Sequence, residues 1–168
     1  MADTYTLISS VTVGAGGASS IDFTSIPATY TDLLVKWSLR GSTNTTYMTI
    51  QLNGSTSSRT SLLLFGTGSG TVNTTTTTLQ SGGGQNASSY TANTFSNGEL
   101  YLPNYAGSVN KSMSIDSVSE NNASNADAGL TAALWSNTSA INRVTLYEGS
   151  SGTFAQYSTA YLYGIKNS

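Results

Sequence analysis

The chain has 168 residues, enough for one domain with a single core, and only 8% of them are charged, against roughly 25% in an ordinary domain. Ten Tyr, four Phe and two Trp exclude intrinsic disorder, and Ser, Thr, Asn and Gly take the place of the missing charges. The net charge is −2 with scattered cations, which argues against nucleic acid as a partner, and the absence of Cys and His excludes disulfides, zinc sites and an imidazole base.

The N-terminus and the hydropathy of the chain bear on its location. The sequence begins Met1-Ala2-Asp3-Thr4, without a basic or apolar leader, and no apolar run approaches the length of a membrane span. We therefore expect synthesis in a cytoplasm, no signal peptide and no membrane partner. A nearly uncharged surface offers little repulsion between copies, which suits a protein that packs beside copies of itself.

Apolar residues recur at every second position, which is the period of a half-buried β-strand. Residues 5–13 alternate in this way, and the Gly-rich turn that follows predicts a hairpin with Ser20–Phe23. Residues 33–39 form the clearest strand. Met48–Leu52 repeats the pattern and ends at Asn53-Gly54, a strong turn signal.

Residues 66–89 interrupt this pattern with Gly, Ser and Thr, including five consecutive threonines from Thr74 to Thr78. Thr favours extended structure, but only Val72 and Leu79 offer apolar anchors. We expect a long excursion or a weakly held edge strand. This segment and residues 1–6 have too little apolar content to fold on a core, so both are predicted to become ordered through contact with another subunit.

Regular strands resume at residues 95–102, 111–120, 130–135, 141–147 and 156–165. The last of these places Tyr157, Tyr161 and Tyr163 on one face. Residues 123–133 carry some helical character, although their Asn and Gly content speaks against a helix. Eight or more short strands between polar turns predict an all-β fold: a single-domain antiparallel β-sandwich over residues 1–168, resembling a jelly roll.

The acidic residues are the candidates for catalysis. A glycosidase needs two carboxyl groups roughly 5–9.5 Å apart, whereas Asp116 and Glu120 on one strand would lie about 13 Å apart. Glu99 from a neighbouring strand could close that gap, but we expect these acids to be solvated, outward-facing residues. Because no His can serve a Ser nucleophile as base, we predict that the chain is not an enzyme and needs no cofactor.

An oxygen-rich stretch at residues 116–127 is the candidate for a hard cation such as calcium. Its ligand spacing does not match an EF-hand loop. A loop capped by Asn side chains accounts for the same residues, so we predict no metal site.

Tyrosines and threonines are the candidates for contact with a partner. Tyr-rich strands can stack on sugars, with Asn and Gln supplying hydrogen bonds, but more often they pack against another sheet or a neighbouring subunit. We predict this second use. The predicted interface residues are Tyr5, Thr74, Thr76, Thr78, Tyr101, Tyr105, Tyr157, Tyr161 and Tyr163.

Several short sequence segments, the phrases given next, resemble segments of a group of marine tailed-bacteriophage virion proteins. The phrases are Val11-Thr12-Val13, Ser20-Ile21-Asp22-Phe23-Thr24-Ser25-Ile26-Pro27, Tyr30-Thr31-Asp32-Leu33, Pro103-Asn104-Tyr105-Ala106-Gly107-Ser108, Ser119-Glu120-Asn121-Asn122, Leu134-Trp135-Ser136-Asn137-Thr138 and Tyr163-Gly164-Ile165-Lys166-Asn167-Ser168. The likeness covers nearly the whole chain and is weakest in the Thr-rich middle. It implies a structural role in the virion and carries over no functional residues.

On this resemblance, together with the composition, we expect a capsid decoration (cement) protein on the outer surface of a phage head. It would be a homo-oligomer, a trimer, whose partners are the major capsid protein or other virion proteins. The alternative is a tail-fibre or tail-tip module that binds host surface glycans. A glycan-cleaving enzyme is a third and weaker hypothesis.

Overall fold

The computed structural model describes residues 4–67, 72–77, 79–81, 84–122 and 126–166, and twelve β-strands lie in these ranges. The same ranges contain no helix long and apolar enough to cross a membrane. Residues 126–133, which carry some helical character, belong to a strand. The strands are β1 (Tyr5–Thr12), β2 (Ser20–Phe23), β3 (Asp32–Ser38), β4 (Met48–Leu52), β5 (Arg59–Gly66), β6 (Val72–Thr77), β7 (Gln80–Ser81), β8 (Asn97–Leu102), β9 (Lys111–Glu120), β10 (Ala126–Trp135), β11 (Val144–Glu148) and β12 (Thr159–Ile165).

The strands form an eight-stranded sheet in the order β1-β12-β3-β8-β9-β10-β5-β6 and a four-stranded sheet in the order β2-β11-β4-β7. Four antiparallel pairs are nested along the chain: β1 with β12, β2 with β11, β3 with β8 and β4 with β7. This is the pairing of one long hairpin rolled into two facing sheets, which is a jelly roll. The predicted antiparallel β-sandwich of jelly-roll type is confirmed.

Two inserted hairpins enlarge one of the sheets. β5–β6 and β9–β10 both extend the larger sheet beyond β8, so that β6 is its last strand. All ten residues of β9 pair with all ten of β10. The larger sheet thus has twice as many strands as the sheet it packs on.

The core lies between the two sheets, and the alternation of each strand decides which residues enter it. In β3, Leu33, Val35 and Trp37 are buried while Lys36 is exposed. β4 and β11 contribute inward residues from the other sheet, such as Ile50 and Leu146. Complete burial of one such side chain contributes about 1.5–3 kcal/mol, so alternation fixes both the register and the stability of the sandwich.

Two local predictions from the sequence were wrong. The Gly-rich loop after β1 does not close a hairpin with β2, because β1 pairs with β12 in the larger sheet and β2 pairs with β11 in the smaller one. The last strand begins at Thr159, and Tyr157 lies in the preceding loop with a φ of 71°.

The turn signal Asn53-Gly54 forms a tight turn. Both residues have positive φ, 51° and 70°, and the amide of Ser55 donates to the carbonyl of Leu52 at 2.9 Å. Positive φ at both central residues is the geometry that Asn-Gly favours. The chain then leaves the smaller sheet and enters β5 of the larger one.

Part of the Thr-rich segment is held by the chain itself. β6 is an edge strand, as the sequence predicts, and Leu79 is fully buried. Gln85 and Asn86 are also buried, and their backbone amides donate to the backbone carbonyls of Thr46 and Leu39 at 3.2 and 3.0 Å, respectively. These intrachain contacts hold the end of the segment against the rest of the chain.

Candidate interaction surface

The outer face of the larger sheet is the surface that the smaller sheet does not cover. Strand register arranges its side chains in two neighbouring rows that cross the strands. The Leu130 row consists of Leu64, Leu130, Asp116, Glu99, Lys36 and Tyr161. The Ala132 row consists of Leu62, Ala132, Ser114, Tyr101, Leu34, Tyr163 and Leu7.

One half of this face, on β9, β10 and β5, is aliphatic. We call its five exposed residues the aliphatic patch: Leu62, Leu64, Val118, Leu130 and Leu134. Leu62 and Leu130 are 56% and 54% exposed, although both lie in the middle of paired strands. Large apolar side chains in neighbouring positions on a sheet are normally covered by another layer.

Hollows separate the side chains of the aliphatic patch. One hollow, of about 460 Å³, lies over Gly66, Gly98 and Ala128 and is walled by Leu64 and Leu130. A second, of about 330 Å³, lies over Ala132 between Leu62 and Leu134. Small residues beside large ones therefore give this half of the face a relief of ridges and hollows.

The other half of the face, on β1, β12, β3 and β8, holds an aromatic groove of about 400 Å³. It is lined by Tyr5, Leu34, Lys36, Glu99, Tyr101, Tyr163 and Ile165. The Tyr101 hydroxyl donates to Asp32 Oδ2 at 2.8 Å, and this hydrogen bond, with burial, raises the pKa of Tyr101. Tyr101 is thereby fixed in orientation at the wall of the groove.

Three charged residues lie side by side in the Leu130 row. Lys36 Nζ is 3.0 Å from Glu99 Oε2, and this hydrogen bond raises the pKa of Lys36. Asp116 is directly opposite Glu99 on the next strand, at a Cβ separation of about 5 Å. Burial, followed by repulsion from Glu99, raises the pKa of Asp116. Glu99 and Asp116 therefore lie opposite each other on neighbouring strands, an arrangement that the sequence left open. They lie on an open sheet face, and Glu99 is paired with Lys36.

The predicted interface residues fall in several places. Tyr5, Tyr101, Tyr161 and Tyr163 share the outer face. Tyr157 is 66% exposed but lies in a loop away from the rows. The backbone of the Thr-rich strand pairs Thr74 with Leu64 and Thr76 with Leu62, and Thr78 lies outside the described residues.

Tyr105 is a correction to the predicted interface. Its side chain is fully buried, and its hydroxyl donates to the carbonyl of Pro27 and accepts from the amide of Tyr30 at 3.4 Å. The ring fills the core beneath the loop that precedes β3, so it is not available to a partner.

The aliphatic patch was missed at the level of sequence. Residues 62–65 are four consecutive apolar residues. A strand that is apolar at successive positions is apolar on both faces. That signal was present in Leu62-Leu63-Leu64, where Leu63 is buried and its neighbours are exposed.

The oxygen-rich stretch does not converge on one point. Asp116 faces outward, Asp127 accepts from the Tyr90 hydroxyl at 3.0 Å, and Glu120 caps the amide of Asn122 at 2.6 Å. Within the described residues no three acidic, His or Cys side chains form a group that could hold a metal ion. Asn125 lies outside the described residues.

No protein-family model, no curated protein and no solved structure matches the chain. The geometry of its own surface is therefore the basis for a functional proposal.

Proposed function

We propose that the chain is a structural protein of a tailed-bacteriophage virion, a capsid decoration protein that binds the outer surface of the head in repeated copies. The observation that carries this proposal is the uncovered aliphatic patch on the outer face of the eight-stranded sheet. Exposing such an apolar surface to water costs free energy, and burying it in an assembly would remove that cost. The resemblance of the sequence to virion proteins gives the kind of assembly.

The physical support comes from the contrast between this face and the rest of the molecule. Single exposed apolar residues are ordinary, whereas a contiguous apolar patch marks a site of contact with another surface. The aliphatic patch occupies neighbouring positions on three paired strands. Only 8% of the residues are charged, so copies can approach one another without strong repulsion.

In this role the protein would act by adhesion. Apolar and aromatic side chains of the outer face would be buried between neighbouring subunits, and Ser, Thr and Asn at the rim would add hydrogen bonds. An interface of about 1,600 Å² is enough for stable attachment. Simultaneous contacts by linked copies with neighbouring capsomers would strengthen attachment further through their high effective concentration.

Electron cryomicroscopy of purified virions that contain the chain tests this proposal. We expect repeated density of about one jelly-roll domain per copy over the outside of the head. Gold-labelled antibody against the chain should decorate the same surface. Density or label confined to the tail would refute the decoration role.

The aromatic groove favours a second function, the binding of host surface glycans by a tail-fibre or tail-tip module. Tyr5, Tyr101 and Tyr163 present rings to the groove, and Lys36 and Glu99 supply polar groups, which is the combination that binds sugars. A glycan array tests it. Binding should be lost in Tyr101→Ala and Tyr163→Ala and kept in Tyr157→Ala, since Tyr157 is exposed but lies outside the groove.

A further inference from the structure

We infer that the outer face of the larger sheet binds a second copy of this chain, face to face, about a two-fold axis that runs across the strands between the Leu130 row and the Ala132 row. This inference rests on the proposed function, which requires contact between copies, and names the contact. It concerns the aliphatic patch and the centre of the face.

The two rows are complementary to each other. The proposed axis exchanges them, so that each residue of the Leu130 row faces its neighbour, two positions along the same strand, in the Ala132 row. The six facing pairs are Leu64 with Leu62, Leu130 with Ala132, Asp116 with Ser114, Glu99 with Tyr101, Lys36 with Leu34 and Tyr161 with Tyr163. The Leu130 side chain thus meets the hollow over Ala132, and the Asp116 carboxylate meets the hydroxyl of Ser114.

The hollows provide the space that such packing needs. The hollow over Ala132, of about 330 Å³, lies between Leu62 and Leu134, where Leu130 of the second copy would enter. Two sheets pack about 10 Å apart and at about −30°, so this match is best near the centre of the face. A partner with a flat, uniformly polar surface would leave these hollows unfilled.

The size of the face is that of a stable interface. Eight strands give seven spacings of about 4.8 Å, or about 34 Å, and six residues along a strand give about 20 Å. The product, about 700 Å², is close to the roughly 800 Å² that each partner buries in a standard interface. The aliphatic patch alone is smaller, so the contact includes the central charged and aromatic positions.

The charges of the face have partners in this contact. Lys36 and Glu99 are already paired within one copy at 3.0 Å. Asp116 is the acid without a basic neighbour in its row, and the axis places it over a Ser hydroxyl that can donate to it. Two identical faces related by a two-fold axis form a closed dimer, so this contact assigns a dimer in place of the trimer expected from the sequence.

Sedimentation of the full chain tests the contact, and two valines provide a matched pair. Val118 in the aliphatic patch is 46% exposed, and Val109, in the turn before β9, is 49% exposed. We expect the wild type and Val109→Asp to sediment as dimers at micromolar concentrations. Val118→Asp and Leu130→Asp should weaken the dimer at least a hundredfold while circular dichroism and melting temperature show a folded chain.

Cross-linking provides a second readout that does not depend on destabilising the surface. The chain has no Cys, so a single introduced thiol is unique. Ala132→Cys should form a covalent dimer with a short bismaleimide, and Val109→Cys should not. A monomeric wild type, a trimer, or dimers unaffected by Leu130→Asp and Val118→Asp would overturn the contact.

The results separate this contact from the proposed function. A dimer in solution with no copies on virion heads would refute decoration and leave the two-fold contact intact. Single, unpaired copies on the heads would refute the contact and leave decoration intact.

Discussion

Glu148 at the end of β11 joins three loops at one end of the sandwich, and Glu148→Gln probes how they are held. The residue is 4% exposed. Its Oε1 accepts from the Thr43 hydroxyl and from Gln85 Nε2, the latter at 2.9 Å. Its Oε2 accepts from the amides of Ser150 and Gly152 at 2.6 and 2.9 Å.

The magnitude follows from counting acceptors. A Gln side chain keeps one oxygen and turns an NH₂ group toward two of the four donors, which then lose their acceptor. A hydrogen bond to a charged group contributes about 1.5–3 kcal/mol. The substitution also removes the desolvation cost of the buried charge, and this offsets part of the lost hydrogen-bond free energy. We therefore expect Glu148→Gln to lower the free energy of unfolding by about 3 kcal/mol at neutral pH.

The pH dependence of this loss has a definite sign. Burial by itself would raise the pKa of Glu148, but the hydrogen bonds from Thr43, Ser150, Gly152 and Gln85 outweigh burial and lower the pKa below its ordinary value of 4.5. A depressed folded-state pKa contributes stability that is present above the unfolded pKa and lost as the pH falls through the folded value. The difference between wild type and Glu148→Gln should therefore be constant from neutral pH to about 5 and shrink in more acidic solution.

Urea unfolding followed by the fluorescence of the two buried tryptophans measures these free energies across pH. Glu99→Gln is the control, because its partner Lys36 has a half-exposed side chain and such surface pairs contribute about 0–1 kcal/mol. A loss below 1 kcal/mol for Glu148→Gln at pH 7, or a loss that grows toward acid, would contradict this account of the loops.

Three further substitutions test the packing of the larger sheet. Gly98→Ala places a Cβ 2.5 Å from a backbone oxygen and 2.7 Å from the Trp37 ring, so we expect a loss of about 1–3 kcal/mol in urea unfolding. Gly66→Ala, with nothing within 4 Å, should leave stability unchanged or slightly raised. Lys111 is buried with its Nζ donating to the carbonyl of Gly107 at 2.6 Å. Lys111→Met should lower the melting temperature, since it leaves the carbonyl of Gly107 without its donor; an unchanged melting temperature would contradict this.

The sequence predicted the fold class because alternation is a local signal. The period of two in Leu33, Val35 and Trp37 is enough to place a strand with one buried face. The same reasoning failed at the start of β12. Tyr157 continues the alternation in sequence, but its backbone has a positive φ and it lies in the loop before the strand. It also failed for the first hairpin, because a Gly-rich turn indicates a reversal and not the sheet in which the next strand pairs.

The candidate surface was predictable only in part. Tyr5, Tyr101, Tyr161 and Tyr163 were proposed from sequence and share one face, while Tyr105, which was proposed with them, is buried. Nothing local distinguishes an aromatic ring that fills the core from one that lines a surface groove. That distinction depends on which elements pack above it.

The amino-acid sequence by itself determined that this chain is built of paired strands with a nearly uncharged exterior, since backbone alternation and composition act residue by residue. Tertiary structure alone decided that two inserted hairpins widen one sheet past its partner. Strand order is set by contacts between residues far apart in the chain, so only the folded structure brings Leu62, Leu130 and Val118 together on one uncovered face.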